Sequence, residues 1–287
     1  MPSAWTPIDT AEAALLAFGG ALLVFSAARI ATKGAWQSSL GLGPPEPCRI
    51  EPLDPALAVF AVFFVPQLLY ALILGRDAAS ETSATTQPLP AASQIMVAFL
   101  GQLLACGAIV SMGAWRHGWR LSAWGLSAAR LPRQAARALV AYVMVWPLCF
   151  GLLHLTVYVM TRITPDFSPP EHQTIRILVS GESGTAAAVL TVISAVVLAP
   201  VNEELLFRGM LQPLLAASFR SAWGAIIVCA VAFGLFHYPL VHTMPALALF
   251  GLVLGWLRAR SGSLTLVILL HAIFNAKTLT WLTFGPE

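Results

Sequence analysis

Two adjacent glutamates, Glu203 and Glu204, are the residues of this sequence best suited to chemistry. They follow an apolar run that extends from 186 to 201, and an ionisable side chain in such a run indicates function by default because it is costly to bury in a membrane. Arg208 follows Glu204 by four residues, so the two side chains share a helix face and can pair. Glu203 points about 100° away and has no local cation. An unpaired carboxylate in apolar surroundings is a candidate general base.

Further polar side chains interrupt the apolar runs that follow. Phe233 and His237 end one run, and His271 and Asn275 lie within the last one. Each pair is separated by four residues, so its members lie on one helix face. His154 stands alone in another apolar run, and a lone histidine in that setting is more often a core residue than a catalyst.

The spacing of these residues predicts that they meet. Glu203 lies 17 residues before the basic turn at Arg220, and His237 lies 17 residues after it. If both arms are helices, the hairpin places the two side chains at one depth, about 25 Å from the turn. The last helix begins near Ser263, on the same side of the membrane as the turn at Arg220. We therefore expect one water-accessible cavity to be lined by four side chains: Glu203, His237, His271 and Asn275.

The composition indicates a membrane protein. Hydrophobic residues make up 58% of the 287 residues and charged residues only 10%, whereas a soluble domain carries about 25% charged residues. A soluble enzyme and a disordered chain are therefore excluded. The net charge of +3 is small and the basic residues are dispersed, so a nucleic-acid partner is not expected. The expected partners are membrane lipids and a peptide or membrane-protein substrate.

The apolar runs predict an all-α, polytopic membrane helix bundle of about eight transmembrane helices. The first run is interpreted as a span rather than a signal peptide because no basic residue precedes it, although residues 26–28 resemble a cleavage site. The segment from 186 to 218 is too long for one straight span, and Pro200 and Pro213 are the candidate positions for a break. The predicted spans are 12–30, 55–75, 93–115, 136–161, 186–206, 222–238, 243–258 and 263–282.

Basic residues predict the orientation. The connections 29–54 and 116–137 and the turns near 220 and 258–260 are basic and fall on one side if all the spans are real, so that side is predicted to be cytoplasmic and both termini extracytoplasmic. The 116–137 connection reads equally as an interfacial stretch on an anionic leaflet or as a plain loop. We divide the continuous membrane domain into N-terminal helices with this loop, 1–135, and a C-terminal catalytic core, 136–287.

Three motifs resemble those of a known family. Glu203-Glu204-x-x-x-Arg208, Phe233-x-x-x-His237 and His271-x-x-x-Asn275 are similar, in that order, to the signature motifs of the CPBP family. That family contains the CAAX prenyl endopeptidases and bacterial bacteriocin-processing or self-immunity proteins. The resemblance covers about residues 186–282. It implies an intramembrane endopeptidase.

The resemblance also implies a role for each motif residue. Glu203 would activate a water with help from His237, and His271 and Asn275 would stabilise the oxyanion. Glu204 and Arg208 would brace the helix, and Phe233 would support the site. The family has also been discussed as metal-dependent, and Glu203, His237 and His271 could ligate zinc with an open fourth position. No HExxH motif supports that variant, so we expect no bound metal or cofactor.

The sequence is also compatible with two other functions. A catalytically inactive scaffold or immunity protein would share the fold, although its motifs would be expected to decay. A proton-coupled transporter would also bury ionisable residues, but transporters are typically built from two related halves, and no repeat is visible. Arginine outnumbers lysine 14 to 2, which is associated with bacterial genomes, so we expect a bacterial inner-membrane protein. A bacterium would not be expected to make prenylated CAAX proteins, so the substrate stays open.

The predicted side of the site rests on helix lengths. Glu203 and His237 lie about 25 Å from the basic turn in a hydrocarbon core about 30 Å thick. We therefore expect the cavity to open on the extracytoplasmic side, whereas the CAAX enzymes would suggest the cytoplasmic side.

Overall fold

The fold is a bundle of helices, described from a computed structural model for residues 16–17, 19–21, 50–73, 91–118, 121–169, 173–180 and 184–284. No strand occurs in these ranges, which confirms the all-α prediction. A 3₁₀ turn, Leu121–Trp124, lies between α2 and α3. The helices are α1 Leu53–Ile73, α2 Ala91–His117, α3 Leu131–Ile163, α4 Gln173–Ser180, α5 Gly184–Phe219, α6 Ala222–Leu235, α7 Met244–Ser261 and α8 Leu264–Phe284.

Five of these helices, α1, α2, α3, α5 and α8, are long and apolar enough to cross a membrane. They correspond to the predicted spans 55–75, 93–115, 136–161, 186–206 and 263–282. The predicted span 222–238 is the 14-residue helix α6, and 243–258 is α7, which carries Arg258 and Arg260 in its last turn. The span 12–30 lies largely outside the described residues. The count of eight is therefore not confirmed. The 116–137 connection is not one stretch, because its ends belong to α2 and α3.

Helix α5 is continuous for 36 residues and does not break at Pro200 or Pro213. A π-helical segment precedes each proline, at Ser194–Leu198 and Leu205–Leu211. Proline lacks an N–H and its ring crowds the preceding turn, and a wider π turn accommodates both effects without ending the helix.

Each proline leaves a carbonyl without its helical donor, and another helix supplies one. In the π register, Ala199 N–H bonds to Ser194 O, so the next donor would be residue 200, which is proline. The carbonyl that Pro200 leaves free is that of Ala195, and Asn275 of α8 donates to it at 2.9 Å. A buried carbonyl must find a donor, so each π segment fixes a docking point on α5.

The same pattern recurs at Pro213. Gln212 N–H bonds to Phe207 O, so the Arg208 carbonyl is left free, and Nε of Arg258 from α7 lies 3.4 Å from it. Two helices, α8 and α7, are thereby tied to α5 on either side of the glutamates.

Ion pairs and hydrogen bonds fix which helix ends meet. Arg116 at the end of α2 pairs with Asp54 at the start of α1, at 2.7 Å. Ser263 at the start of α8 donates to Gln134 in the first turn of α3, at 2.9 Å. The described helix ends next to the basic connection 116–137 and the basic turns near 220 and 258–260 form what we call the basic end, which carries Arg116, Arg130, Arg133, Arg220 and Arg258. That this end is cytoplasmic stays a prediction.

Small residues allow α5, α6 and α7 to approach closely. Arg208 and Gln212 of α5 donate to the carbonyls of Gly251 and Gly255 of α7, at 3.0 and 2.9 Å. A Cβ on Gly251 would lie 3.2 Å from the Cα of Ala230 in α6. Small residues four positions apart, such as Gly251 and Gly255, let helix backbones pack tightly in membranes, where hydrophobic association between helices is weak.

We expect Gly251→Ala to destabilise the protein by about 1–3 kcal/mol, the usual cost of overpacking a close contact. The new methyl would also lie 3.3 Å from the Arg208 Nη2 atom. The control is Gly107→Ala in α2, where a Cβ would meet no atom of the described chain within 4 Å. Thermal unfolding of both variants in detergent measures the difference, and equal melting temperatures would contradict this packing.

Candidate active site

Glu204 lies at the centre of a buried polar cluster. Its side chain is fully buried, and its Oε1 atom accepts from Nη1 of Arg208 and from Nδ1 of His271, both at 2.9 Å. The pairing with Arg208 that the four-residue spacing predicts is therefore present. The contact with His271 was not predicted, because the spacing argument places His271 with Glu203 and not with Glu204.

Arg208 joins three helices. Besides Glu204, its guanidinium donates from Nη2 to the Gly251 carbonyl of α7 at 3.0 Å. The Cζ atom lies 4.6 Å from the ring centroid of Phe233 on α6, within the range of a cation–π contact. The side chain has no exposed area. A charge buried this completely is stable only when paired and hydrogen-bonded, so Arg208 depends on this exact packing.

Aromatic rings fix the orientation of His271. The centroids of Phe233 and Phe250 lie 5.6 and 5.5 Å from that of the imidazole, both edge to face. Because Nδ1 donates to the Glu204 carboxylate, Nε2 is directed elsewhere, and it lies 3.8 Å from Oε2 of Glu203. The imidazole therefore stands between the two glutamates. The sequence does not indicate that Phe250 belongs to the site, because it is one of many apolar residues of α7.

The carboxylate of Glu203 differs from that of Glu204 in its exposure and in its partners. Its side chain keeps 17% exposure, whereas that of Glu204 has none. Its buried Oε2 atom has no hydrogen-bond partner among the described residues. No arginine or lysine among the described residues pairs with Glu203, and Nε2 of His271 lies 3.8 Å from its Oε2 atom. Two adjacent carboxylates thus have different surroundings: Glu204 is fully buried and bound through Oε1 by Arg208 and His271, whereas Glu203 is partly exposed.

His237 lies just beyond the end of α6 and has one ring nitrogen available. Its Nδ1 lies 2.9 Å from the Phe233 carbonyl, which can only accept, so Nδ1 carries the proton and neutral His237 has its lone pair on Nε2. Its ring lies 5.1 Å from that of Phe233, edge to face. Phe233 therefore contacts both predicted histidines and Arg208, a more central place than the supporting one expected from the motif.

Asn275 binds the backbone of α5. Its Nδ2 donates one hydrogen to the Ala195 carbonyl, and an amide nitrogen has a second hydrogen to donate. His154 does not join this group. It is exposed on α3 and its ring lies 4.2 Å from that of Phe150, so the expectation of a core position is wrong.

The zinc variant requires Glu203, His237 and His271 to converge on one point. In the described part of the chain, no group of three or more His, Cys, Asp or Glu side chains is placed to hold a metal ion. The three residues as arranged do not fit a zinc site of that composition.

Comparison with known proteins supports the motif region. Residues 185–277 match the family model described as type II CAAX prenyl endopeptidase Rce1-like. An Escherichia coli protein named "Uncharacterized 24.3 kDa protein" is 35% identical over 86 residues, which are 29% of this chain and 40% of that relative's length. The chain therefore matches less than half of this relative. No solved structure matches.

Proposed function

Because residues 185–277 match the Rce1-like, CPBP-family model, we propose that this protein is an intramembrane endopeptidase in which Glu203 activates the attacking water. The proposal rests on one observation above all. Of two adjacent glutamates, Glu204 is fully buried and its Oε1 atom is bound by Arg208 and His271, whereas Glu203 keeps 17% exposure and no described residue binds its Oε2 atom. A general base needs an available carboxylate held in a fixed place.

The proposed reaction begins with water between Glu203 and Nε2 of His237. Glu203 takes a proton from the water while the oxygen of that water attacks the scissile carbonyl carbon. The C–N bond then breaks, and Glu203 returns the proton to the leaving amine. General acid–base catalysis of this kind contributes about 10²–10⁴-fold to the rate. The available lone pair on Nε2 accepts a hydrogen bond from the same water and orients it.

Stabilisation of the oxyanion is assigned to His271 and Asn275. When His271 is protonated on both nitrogens, Nδ1 donates to Glu204 and Nε2–H is left to donate to the intermediate. The second hydrogen of Asn275 Nδ2 is the other proposed donor. Preorganised donors are effective because they need no reorganisation as the charge develops. The aromatic contacts of His271 and the π-segment carbonyl that binds Asn275 hold them in place.

The proposed substrate is a membrane-associated or leader-type peptide. Large apolar side chains are exposed on the long helices, for example Phe64 and Leu155, each at 56%. Such surfaces keep a protein in lipid, and we place this one in a bacterial inner membrane. The site then acts on chains that enter or leave the bilayer.

Purified protein in detergent, incubated with a peptide library, tests the proposal. We expect new peptide termini, identified by mass spectrometry, that Glu203→Ala does not produce. A library that stays intact with the wild type, or is cut equally by both proteins, would contradict the proposal.

We also propose that hydrolysis requires no metal, since the three candidate ligands do not converge on one point. Turnover is expected to survive dialysis against a chelator, with less than one equivalent of zinc found by elemental analysis. Activity lost to the chelator and restored by zinc would reverse this conclusion.

A further inference from the structure

A separate cavity of about 420 Å³ opens at the basic end of the bundle. It lies between the connection that follows α2, the first two turns of α3 and the turn between α7 and α8. His271 is eight residues from Ser263 on α8, about 12 Å deeper in the bundle, so the cavity is distinct from the candidate active site. Its lining includes Arg130, Arg133, Arg137, Gln134, Ser122 and Ser263.

Three arginines give this cavity a strong positive charge. Arg130, Arg133 and Arg137 lie at spacings of three and four residues, so they share one face at the start of α3. None of the described residues that line the cavity is acidic, and none of the three arginines forms an ion pair with another described residue. We call this the arginine pocket.

The position of these cations is unfavourable without an anion. The first turn of α3 contains no acidic residue, and no side chain caps its N-terminus. The N-terminal end of a helix carries partial positive charge, which favours anions and disfavours cations. Arginine clusters recognise phosphate through paired N–H donors. The pocket therefore has the composition of a phosphate site.

The floor of the pocket is built rather than accidental. Gln134 and Ser263 are both buried, and the serine hydroxyl donates to the glutamine oxygen at 2.9 Å. Ser263 Oγ also caps α8 by accepting from Leu266 N. The Gly125 carbonyl accepts from Leu264 N at 3.0 Å. Three elements thus close around one polar concavity.

The surface beside the pocket indicates that the phosphate belongs to a lipid. Val140 and Leu148 lie three and eleven residues beyond Arg137, so they share the face of α3 that carries the arginines. They are 54% and 45% exposed. A basic pocket that continues into an exposed apolar helix face fits a headgroup phosphate above its acyl chains, and basic pockets between membrane helices bind such headgroups.

We propose that the arginine pocket binds the phosphate of an anionic phospholipid. Bound lipid neutralises the three arginines and holds the start of α3 against the start of α8, the helix that carries His271. The inference does not depend on the protease activity, because binding and stability can be measured without a substrate.

The test uses the full chain in a neutral detergent with three probes: phosphatidylglycerol, phosphatidylcholine and inorganic phosphate. We expect native mass spectrometry to show retained phosphatidylglycerol and the melting temperature to rise by several degrees with that lipid alone. The triple variant Arg130→Gln/Arg133→Gln/Arg137→Gln should bind phosphatidylglycerol at least 10-fold more weakly. Arg220→Gln, which removes an exposed arginine of the basic end outside the pocket, should bind like the wild type.

Each other result overturns a defined part of the proposal. Equal loss in Arg220→Gln would mean that diffuse surface charge attracts the lipid. Equal stabilisation by phosphatidylcholine would remove the role of charge, and equal stabilisation by inorganic phosphate would assign the pocket to free phosphate. If the triple variant does not fold, Arg133→Gln and Arg133→Lys replace it. The glutamine variant should bind more weakly than the lysine variant, and wild-type binding by Arg133→Gln would contradict the pocket.

Discussion

Glu203→Gln is expected to reduce the rate of peptide hydrolysis by about 10²–10⁴-fold, the usual contribution of a general base. The amide keeps the shape of the side chain but cannot take a proton from water. Its effect on stability should be small, because the Glu203 Oε2 atom forms no hydrogen bond with a described residue and the side chain is partly exposed. Single-turnover cleavage of a substrate peptide and thermal unfolding in the same detergent measure the two effects.

The neighbouring glutamate provides the matched control. Glu204→Gln changes the adjacent residue in the same way but removes the charge that binds Arg208 and His271. We expect it to lower the melting temperature clearly. Glu203→Asp, which keeps a carboxylate, should retain more activity than Glu203→Gln. A Glu203→Gln protein that cleaves at the wild-type rate would exclude Glu203 as the base.

Arg208→Met is expected to destabilise the protein by about 3–5 kcal/mol, the cost of leaving one partner of a buried pair uncompensated. The guanidinium pairs with Glu204, donates to Gly251 and lies over Phe233, and methionine replaces only its apolar volume. Folded yield and thermal unfolding measure the loss. Arg220→Met, at an exposed helix end, is the control and should unfold like the wild type.

The double variant Glu204→Gln/Arg208→Met separates charge from packing. If the loss comes from the unpaired Glu204 carboxylate, removal of both charges should recover part of the stability, so the two effects should not add. Additive losses would mean that packing around Arg208 dominates. A stable Arg208→Met protein that has lost only its turnover would contradict the bracing role altogether.

The spacing of residues along the chain was sufficient to predict those contacts of the site that lie within one helix. The four-residue separation of Glu204 and Arg208 predicts their ion pair, and the apolar runs predict most of the long helices. Contacts between different helices could be predicted less well from the sequence. Glu203 lies 16 residues from the end of α5, whereas His271 lies seven residues from the start of α8. Equal depth counted along straight helices therefore does not explain their 3.8 Å approach, which requires the helices to tilt or their ends to be staggered.

The proline positions illustrate a second limit. Pro200 and Pro213 suggested a break in α5, because proline usually ends or kinks a helix. The structure keeps the helix through π segments, since Asn275 and Arg258 supply the donors that the prolines remove. Such compensation depends on residues more than 40 positions away in the chain and could not be predicted from the local sequence. Likewise, glycines 251 and 255 matter only because α6 and Arg208 lie against them.

The central claim is that Glu203 delivers water to the peptide bond. Its most direct test is a single turnover in H₂¹⁸O, with wild type and Glu203→Gln in matched proteoliposomes and the products read by mass spectrometry. We predict that the wild type forms a new C-terminal carboxylate carrying one ¹⁸O, that no label enters Glu203, and that Glu203→Gln forms essentially no product. Label in the Glu203 side chain, which would indicate a covalent intermediate, or equal cleavage by Glu203→Gln would contradict the mechanism.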